Sequence, residues 1–312
     1  MKDTNNMNRR QFMGLSIALG AGLVLPKSLR SEVMVPSIQT RKTILKSGEK
    51  ISVIGMGTSR TFDASGDTEL LARLQQVMQA FFDMGGEMID SSPMYGSAQK
   101  VIGQLLPKVK NKSNLFAATK VWVEGKQAGI EQMEQSRQQW GIKNFDLMQI
   151  HNLLDWKTQL ETLKQMKADG KIRYIGITTS HGRFHDRLET ILKKNDFDFV
   201  QLSYNIANRE VESPLLSLAQ ERGVSVIVNR PYQRGELFSK VKGKPLPSWA
   251  QDFDCNSWGQ YFLKYIASHP AVTCVIPATT KIKHMKDNML AGTGQLPSAR
   301  QRTQMLKYFE AL

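Results

Sequence analysis

The chain has 312 residues, of which 41% are hydrophobic and 22% are charged, and its net charge is +14. This size fits one large globular domain, because α/β barrels commonly hold about 250 residues in a single unit. No run of Lys and Arg is interleaved with aromatics, and Cys255 and Cys274 lack a Cys-x-x-Cys spacing, so we expect no nucleic-acid partner, disulfide framework or metal cluster.

The first 32 residues differ from the rest and resemble a twin-arginine export signal. Arg9 and Arg10 form the arginine pair, and residues 14–25 form an apolar stretch. The stretch is shorter than the roughly 20 residues of a membrane-spanning helix, so we expect no permanent membrane span, although an uncleaved signal stays open. We therefore expect the twin-arginine machinery to export the protein to the periplasm, with residues 33–312 as the folded domain.

Short apolar runs alternate with helical patterns after the signal. Residues 43–54 predict a β-hairpin around a Ser-Gly turn, which we expect to cap the bottom of a barrel. Helical patterns cover residues 70–84, 130–140 and 158–169. Strand candidates lie at residues 51–57, 87–90, 115–120, 147–151, 173–178, 197–202, 225–229 and 273–276.

This alternation predicts an α/β fold, a (β/α)8 TIM barrel with an N-terminal hairpin cap. An open doubly wound sheet is disfavoured, because no Gly-x-Gly-x-x-Gly motif follows the first strand. The Gly- and Pro-containing stretch at residues 232–256 is an exception to the repeat. We expect it to form a long loop over the active face.

Catalytic groups of such barrels lie at the carboxyl ends of strands. Asp90, Lys120 and His151 end three of the apolar runs, and Tyr95 lies in the loop after the first of them. We expect Lys120 to lower the pKa of the Tyr95 phenol, Asp90 to hold Lys120, and neutral His151 to donate a hydrogen bond to a substrate oxygen. Each residue alone also fits a purely structural role.

Four motifs together resemble the aldo/keto reductase family. They are MIDSSPMYG at 88–96, ATKV at 118–121, DLMQIH at 146–151 and GKIRYIG at 170–176. The resemblance implies a catalytic tetrad of Asp90, Tyr95, Lys120 and His151. It also implies metal-free hydride transfer between a nicotinamide cofactor and a carbonyl or alcohol, with Tyr95 as general acid in reduction and general base in oxidation.

The resemblance further implies a cofactor site. Gln201 matches the glutamine that contacts the nicotinamide carboxamide, and Asn288 matches the asparagine that contacts the adenine. The implied cofactor residues are Thr178, Thr179, Gln201, Asn229, Arg230, Thr279, Thr280, Lys281, His284 and Asn288.

Three of these positions depart from the family pattern. Thr179 stands where an Asn is usual, and Asn229 stands where many members stack an aromatic ring on the nicotinamide. We expect Arg230, beside Asn229, to repel the cationic oxidised ring and so favour the reduced cofactor. His284 replaces a phosphate-binding Arg, but Lys281 is close in sequence, so we favour NADP(H) over NAD(H).

The substrate pocket is less defined by the sequence. The resemblance makes Trp122 an aromatic wall of the pocket. We expect Arg60 and Met56, at the end of the first strand, to line the pocket as well. His181 and His185 have a metal-like spacing, but no third ligand is visible, so we expect no metal site.

We expect an oxidoreductase that acts on a small or sugar-like carbonyl or alcohol. Two alternatives stay open: an exported nicotinamide-binding or sensor protein with little catalysis, and a lyase or isomerase on the same barrel.

Overall fold

The computed structural model describes residues 39–64 and 66–312. The predicted export signal and its boundary at residue 32 lie outside these residues. Within the described part of the chain, no helix combines the length and apolar character that crossing a membrane requires.

An antiparallel hairpin precedes the barrel, as predicted. Its strands are β1 (Arg41–Thr43) and β2 (Lys50–Ser52), and Gly48 takes a positive φ of 74° in the turn. Ile44 and Ile51 of the hairpin are buried in one cluster with interior side chains of the barrel, including Phe116. Because Phe116 begins its strand, the hairpin covers the amino-terminal end of the barrel.

Eight parallel strands then form the barrel, each paired with its neighbours in chain order. Ile54 forms a parallel bridge to Val275 of the last strand, and the N–H of Gly57 donates to the carbonyl of Pro277 at 3.0 Å, so the ring closes. The fold is therefore the predicted (β/α)8 TIM barrel. The strands are β3 (Met56–Gly57), β4 (Met88–Asp90), β5 (Phe116–Val121), β6 (Phe145–His151), β7 (Ile172–Thr178), β8 (Phe199–Ser203), β9 (Ser225–Asn229) and β10 (Val272–Val275).

The closure of the ring requires Gly57. A Cβ at this position would lie 2.7 Å from the carbonyl oxygen of Ile276, closer than side chains pack against backbone. The predicted first strand at residues 51–57 is in fact divided between β2 and β3, because its first residues pair with β1 and its last two pair with β4.

Among the described residues, ten α-helices surround the barrel, and local sequence sets their ends. The Asp67 carboxylate caps the first helix by accepting from the N–H of Leu70 at 2.8 Å, and buried residues such as Leu74 and Phe81 face the strands. The helices are α1 (Thr68–Asp83), α2 (Ala98–Leu105), α3 (Lys126–Trp140), α4 (Trp156–Ala168), α5 (His185–Lys194), α6 (Leu215–Glu221), α7 (Glu236–Lys240), α8 (Trp258–Ala267), α9 (Ile282–Leu290) and α10 (Ala299–Glu310).

The prediction of a long loop over the active face at residues 232–256 is wrong, because much of this segment is helical. The segment contains α7 and two short 3-10 helices. Trp249 packs against Tyr261 of α8 and Tyr308 of α10. Its aromatic side chains bury apolar area on these helices, so most of the segment is ordered against the barrel's outer layer instead of lying as an open loop over the mouth.

Candidate active site

A buried ion pair joins the ends of β4 and β5. Nζ of Lys120 lies 2.5 Å from Oδ1 of Asp90 and also donates to the carbonyl of Ser91 at 2.8 Å. Both side chains are almost fully enclosed by protein. Burial opposes the charge of Lys120, but Asp90 and Tyr95 outweigh it and raise the Lys120 pKa, so the ammonium persists at neutral pH.

The second carboxylate oxygen of Asp90 is held by two amides. Nε2 of Gln149 and Nε2 of Gln201 each donate to Oδ2 at 2.9 Å. Gln201, expected to contact a nicotinamide carboxamide, here completes the hydrogen bonding of the Asp90 carboxylate. Asp90 is therefore fixed from three strands, β5, β6 and β8.

Tyr95 lies over the ion pair. Nζ of Lys120 is 5.1 Å from the centroid of the Tyr95 ring, and the phenol sits in the loop between β4 and α2. Burial raises the pKa of Tyr95, and the opposing charge of Lys120 does not cancel this effect. The charge of Lys120 does lower the pKa of Tyr95, as expected, but burial raises it by more. The net shift of the Tyr95 pKa is therefore upward, opposite to the expectation, and the phenol is protonated at neutral pH.

His151 is held as a neutral ring at the end of β6. Its Nδ1 lies 2.9 Å from Oγ of Ser92, and burial, followed by the charge of Lys120, lowers its pKa to about 3. The Ser92 oxygen also accepts from the N–H of Met94, and its hydroxyl proton can be donated to Nδ1. When Ser92 donates to Nδ1, the proton of the neutral imidazole is on Nε2, which is the arrangement that the donor role expected from the sequence requires.

Two of the three proposed substrate residues reach the mouth. Trp122 is 40% exposed, and its ring centroid lies 6.4 Å from the ring centroid of His151. The centroid of the Tyr95 ring lies 5.9 Å from the same His151 centroid. Arg60 is exposed after β3. Met56 is wrong as a pocket residue, because its side chain is completely buried in the main hydrophobic core.

The ends of β7, β8 and β9 carry the first group of proposed cofactor residues. Thr178 and Gln201 are buried side by side, with the Thr178 Oγ1 at 3.5 Å from the Gln201 Oε1. Asn229 donates to the carbonyl of Thr179 at 3.1 Å and accepts from Ser203 at 2.6 Å. The Thr179 hydroxyl is buried without a hydrogen-bond partner in the described structure.

The second group lies after β10 and on α9. Thr279 accepts from the N–H of Lys281, which is the N-cap residue of α9, and Thr280 lies between them. His284 is exposed on the first turns of this helix. Asn288 is buried, accepts from the Tyr232 hydroxyl at 2.6 Å, and leaves its Nδ2 without a partner within the described residues.

The two histidines with metal-like spacing have separate neighbours. Nε2 of His181 lies 2.9 Å from Nη2 of Arg234, and Nδ1 of His185 lies 3.8 Å from Oε2 of Glu210. Among the described residues no group of three or more potential metal ligands is found.

Sequence reasoning missed Gln149 and Ser92, which orient the tetrad. Gln149 lies two residues before His151, so it points to the same side of β6, and it is the register partner of Lys120. This spacing is a usable signal. Ser92 lies inside the 88–96 motif, but nothing in the sequence shows that it contacts His151.

Comparisons with known proteins bear on the family and the fold of this chain. The sequence profile of the Aldo/keto reductase family matches residues 53–302. The chain is 25% identical to methylglyoxal reductase YeaE of Escherichia coli over 227 residues, covering 71% of this chain and 80% of that protein.

Two solved structures share the fold. One is an aldo/keto reductase from Klebsiella pneumoniae in complex with NADP and acetate, with a TM-score of 0.69 and 20% identity over 86% of this chain and 95% of that one. The other is the holo form of aldo-keto reductase AKR11C1 from Bacillus halodurans, with a TM-score of 0.71 and 22% identity over 87% and 96%. The family profile spans most of the sequence, including all eight barrel strands, and the chain therefore belongs to the aldo/keto reductase family of oxidoreductases.

Proposed function

We propose that this protein catalyses NAD(P)H-dependent reduction of a small or sugar-like carbonyl compound, or the reverse oxidation of an alcohol, with Tyr95 as general acid and base. One observation carries the proposal: a protonated phenol lies over a buried ammonium and beside a neutral imidazole. The methylglyoxal reductase activity in the name of the Escherichia coli relative supports a small carbonyl substrate.

The side chains divide the chemistry between them. Nε2–H of His151 donates to the substrate oxygen and polarises the carbonyl, while the Tyr95 hydroxyl gives its proton to that oxygen. Lys120 stabilises the phenolate that this transfer leaves, and Asp90 keeps Lys120 in place. A nicotinamide cofactor, when bound, supplies the hydride in reduction and accepts it in oxidation.

The residues present fit such a cofactor. Buried polar atoms without partners in the described chain lie on the Thr179 hydroxyl, on Nη1 of Arg230 and on Nδ2 of Asn288. They follow the ends of β7 and β9 and lie on α9, so a long ligand across the mouth would satisfy groups that otherwise cost free energy. Thr178, Gln201 and Asn229 would hold its nicotinamide end, and Thr279 and Thr280 its adenosine end.

We favour NADP(H) over NAD(H) because Lys281, Lys283 and His284 are exposed at the start of α9. Cations at a helix N-terminus provide a site for an additional phosphate. We also propose export to the periplasm by the twin-arginine machinery, supported by Arg9, Arg10 and the apolar stretch that follows them.

The decisive variant is Tyr95→Phe, which removes the transferred proton and keeps the ring. We expect NADPH-dependent reduction of methylglyoxal to fall by about a hundredfold or more, as is typical when a general acid is lost. NADPH binding, followed by fluorescence, should stay within about twofold, since the hydroxyl has no role in holding the cofactor. Titration with NADH in parallel measures the cofactor preference.

The matched control is Tyr308→Phe, which removes a hydroxyl on the outer helix α10 that donates to the carbonyl of Pro245, far from the tetrad in the described structure. Its turnover should equal that of the unmodified protein. Equal turnover in Tyr95→Phe would refute the acid–base role. Tight NADPH binding without turnover over a broad carbonyl panel would instead favour the nicotinamide-binding or sensor alternative.

A further inference from the structure

The loop that carries Tyr95 is fixed to the rest of the site at its beginning. This loop covers residues 91–97, between β4 and α2. Oγ of Ser92 lies 2.9 Å from Nδ1 of His151 at the end of β6, and the N–H of Tyr95 donates to the carbonyl of Ser92 at 3.0 Å. The chain then continues past Tyr95 toward α2. The contacts that hold this second half of the loop therefore also set the position of the phenol.

A carboxylate from another loop holds the second half. Asp63 lies after β3, and its Oδ1 accepts from the N–H of Ser97 at 2.9 Å and from the Ser97 hydroxyl at 2.8 Å. The Ser97 hydroxyl oxygen accepts in turn from the N–H of Ala64 at 3.0 Å. Phe62, the residue before Asp63, is completely buried in the main core, so a fixed backbone presents the carboxylate. Three hydrogen bonds thus join the loops that follow β3 and β4.

Ser97 makes this contact in place of a local one. It is the N-cap residue of α2, where a serine side chain commonly accepts from a backbone N–H of the first helical turn. In the described structure the Ser97 side chain makes no such capping hydrogen bond. The N–H of Ser97 and then its hydroxyl lower the pKa of Asp63, so the carboxylate is ionised at neutral pH and accepts strongly. The connection between the two loops therefore replaces the usual stabilisation of the α2 N-terminus.

Gly96 leaves room for the carboxylate next to the backbone that follows Tyr95. Its φ is +58°, and a Cβ on Gly96 would lie 2.4 Å from Oδ2 of Asp63 and 2.5 Å from the Asp63 Cγ. Any side chain larger than a hydrogen atom would push the loop and the carboxylate apart. The Asp63 carboxylate thus packs directly against the residue that follows Tyr95.

We propose that Asp63 is a positioning residue, whose carboxylate holds the second half of the Tyr95 loop and so keeps the phenol in place over Lys120. Proton transfer depends on a narrow range of positions, and a displacement of about 1 Å is enough to slow a reaction about a hundredfold. The effect of Asp63 on catalysis rests on the proposed function, whereas its effect on the loop is measurable without any substrate.

The first experiment measures the loop alone. Hydrogen exchange of the backbone amides in residues 93–98, followed by mass spectrometry, is compared between the unmodified full chain and Asp63→Ala. We expect exchange in this segment to be about tenfold faster in the variant, because the Ser97 amide loses an ionised acceptor. The matched control is Asp67→Ala, which removes a nearby exposed carboxylate that accepts from the N–H of Leu70 at the start of α1. It should leave the exchange of residues 93–98 unaltered.

The second experiment relates the loop to Tyr95. In NADPH-dependent reduction of methylglyoxal, the kcat of Asp63→Ala should fall about tenfold or more, while its KM and its NADPH affinity stay within about twofold. Asp63→Asn keeps an oxygen acceptor for Ser97 and should restore most of kcat. Asp67→Ala should retain the full kcat.

Gly96→Ala tests the same contact from the other side. The added Cβ should displace the loop and lower kcat as well. In the double variant Asp63→Ala/Gly96→Ala the carboxylate that the Cβ meets is gone, so the two losses should not multiply.

Unchanged exchange in Asp63→Ala, or equally faster exchange in Asp67→Ala, would overturn the proposal, whether or not the protein reduces any carbonyl. Faster exchange with an unchanged kcat, or an equal fall of kcat in Asp63→Ala and Asp67→Ala, would overturn the positioning role. If the unmodified protein turns over no carbonyl, the proposed function fails, and the exchange measurement alone decides whether Asp63 holds the Tyr95 loop.

Discussion

At the scale of single residues, Asp90 is the central group of the site. One of its carboxylate oxygens holds the Lys120 ammonium and the other accepts from Gln149 and Gln201, while its main-chain carbonyl accepts from the Thr58 hydroxyl. Such complete bonding is needed because a buried charge without partners costs several kcal/mol. The network therefore keeps the buried Lys120 charged next to the Tyr95 ring.

Arg230 gives a residue-scale prediction about redox preference. Its guanidinium is adjacent to Asn229, where the nicotinamide ring is expected, so it should repel the cationic oxidised ring. We expect NADPH to bind more tightly than NADP, and Arg230→Gln to reduce the ratio of their dissociation constants about fivefold, since the repulsion is of the order of 1 kcal/mol. Fluorescence titration with both cofactor forms measures this ratio.

The ratio of the two dissociation constants is informative because a contact of Arg230 with the diphosphate would change both constants by the same factor and leave their ratio unaltered. Arg222→Gln, with the same charge change after α6, is the control and should leave the ratio unaltered. The prediction would be contradicted if the oxidised form bound more tightly to the unmodified protein, or if Arg230→Gln did not shift the ratio.

At the scale of elements, the shortest strand is the one that closes the ring. β3 has two residues, Met56 and Gly57, and its close approach to the chain after β10 leaves no room for a Cβ. Loops on both sides of this seam carry proposed site residues, namely Arg60 after β3 and Thr279 after β10. The seam therefore sets the spacing between Arg60 and the proposed cofactor residue Thr279.

We expect Gly57→Ala to lower the free energy of unfolding by about 3 kcal/mol, because the added Cβ meets backbone that cannot rotate away. Urea denaturation followed by circular dichroism measures this change. The comparison variant is Gly48→Ala, which has a positive φ of 74° and open space around its Cβ, so that it reports backbone strain alone. We expect it to cost about 1 kcal/mol. Similar losses in the two variants would show that the seam is not sterically tight.

At the scale of the whole molecule, burial decides how the titrating groups behave. Burial and then Lys120 lower the pKa of His151 from 6.5 to about 3, and burial and then Arg302 lower that of His269 to about 4. The unfolded chain takes up these protons near pH 6.5, whereas the folded chain does not. The stability that both neutral rings contribute is therefore complete above pH 6.5 and is lost as the pH falls.

We expect the free energy of unfolding to fall between pH 6.5 and pH 5, a range above the titration of most carboxylates. His151 alone should contribute about 2 kcal/mol of this decrease. Denaturant unfolding of His151→Gln should show a correspondingly smaller dependence on pH. His284→Gln, which removes an exposed ring on α9, should keep the full dependence. If the stability of His151→Gln keeps the full dependence on pH as well, the His151 ring of the folded protein binds a proton more readily than its burial implies.

The sequence by itself determined the barrel and the positions of the four tetrad residues. Apolar runs with a period of about thirty residues predicted all eight strands, and polar residues at the ends of parallel strands must meet at one rim. The strand period, the helix caps and the residue that ends each strand are local properties, because each depends on residues that are only a few positions apart in the chain.

Only the tertiary structure decided which distant groups act on one another. It brought Gln201 to Asp90, His181 to Arg234, and Arg60 into the electrostatic reach of Arg230, pairs for which the sequence has no signal. It also reversed the expected net shift of the Tyr95 pKa, because desolvation depends on all surrounding elements, whereas sequence proximity indicated only the Lys120 charge. Local patterns fix where a side chain is presented, and packing of the whole barrel fixes what it contacts and how far it is removed from water.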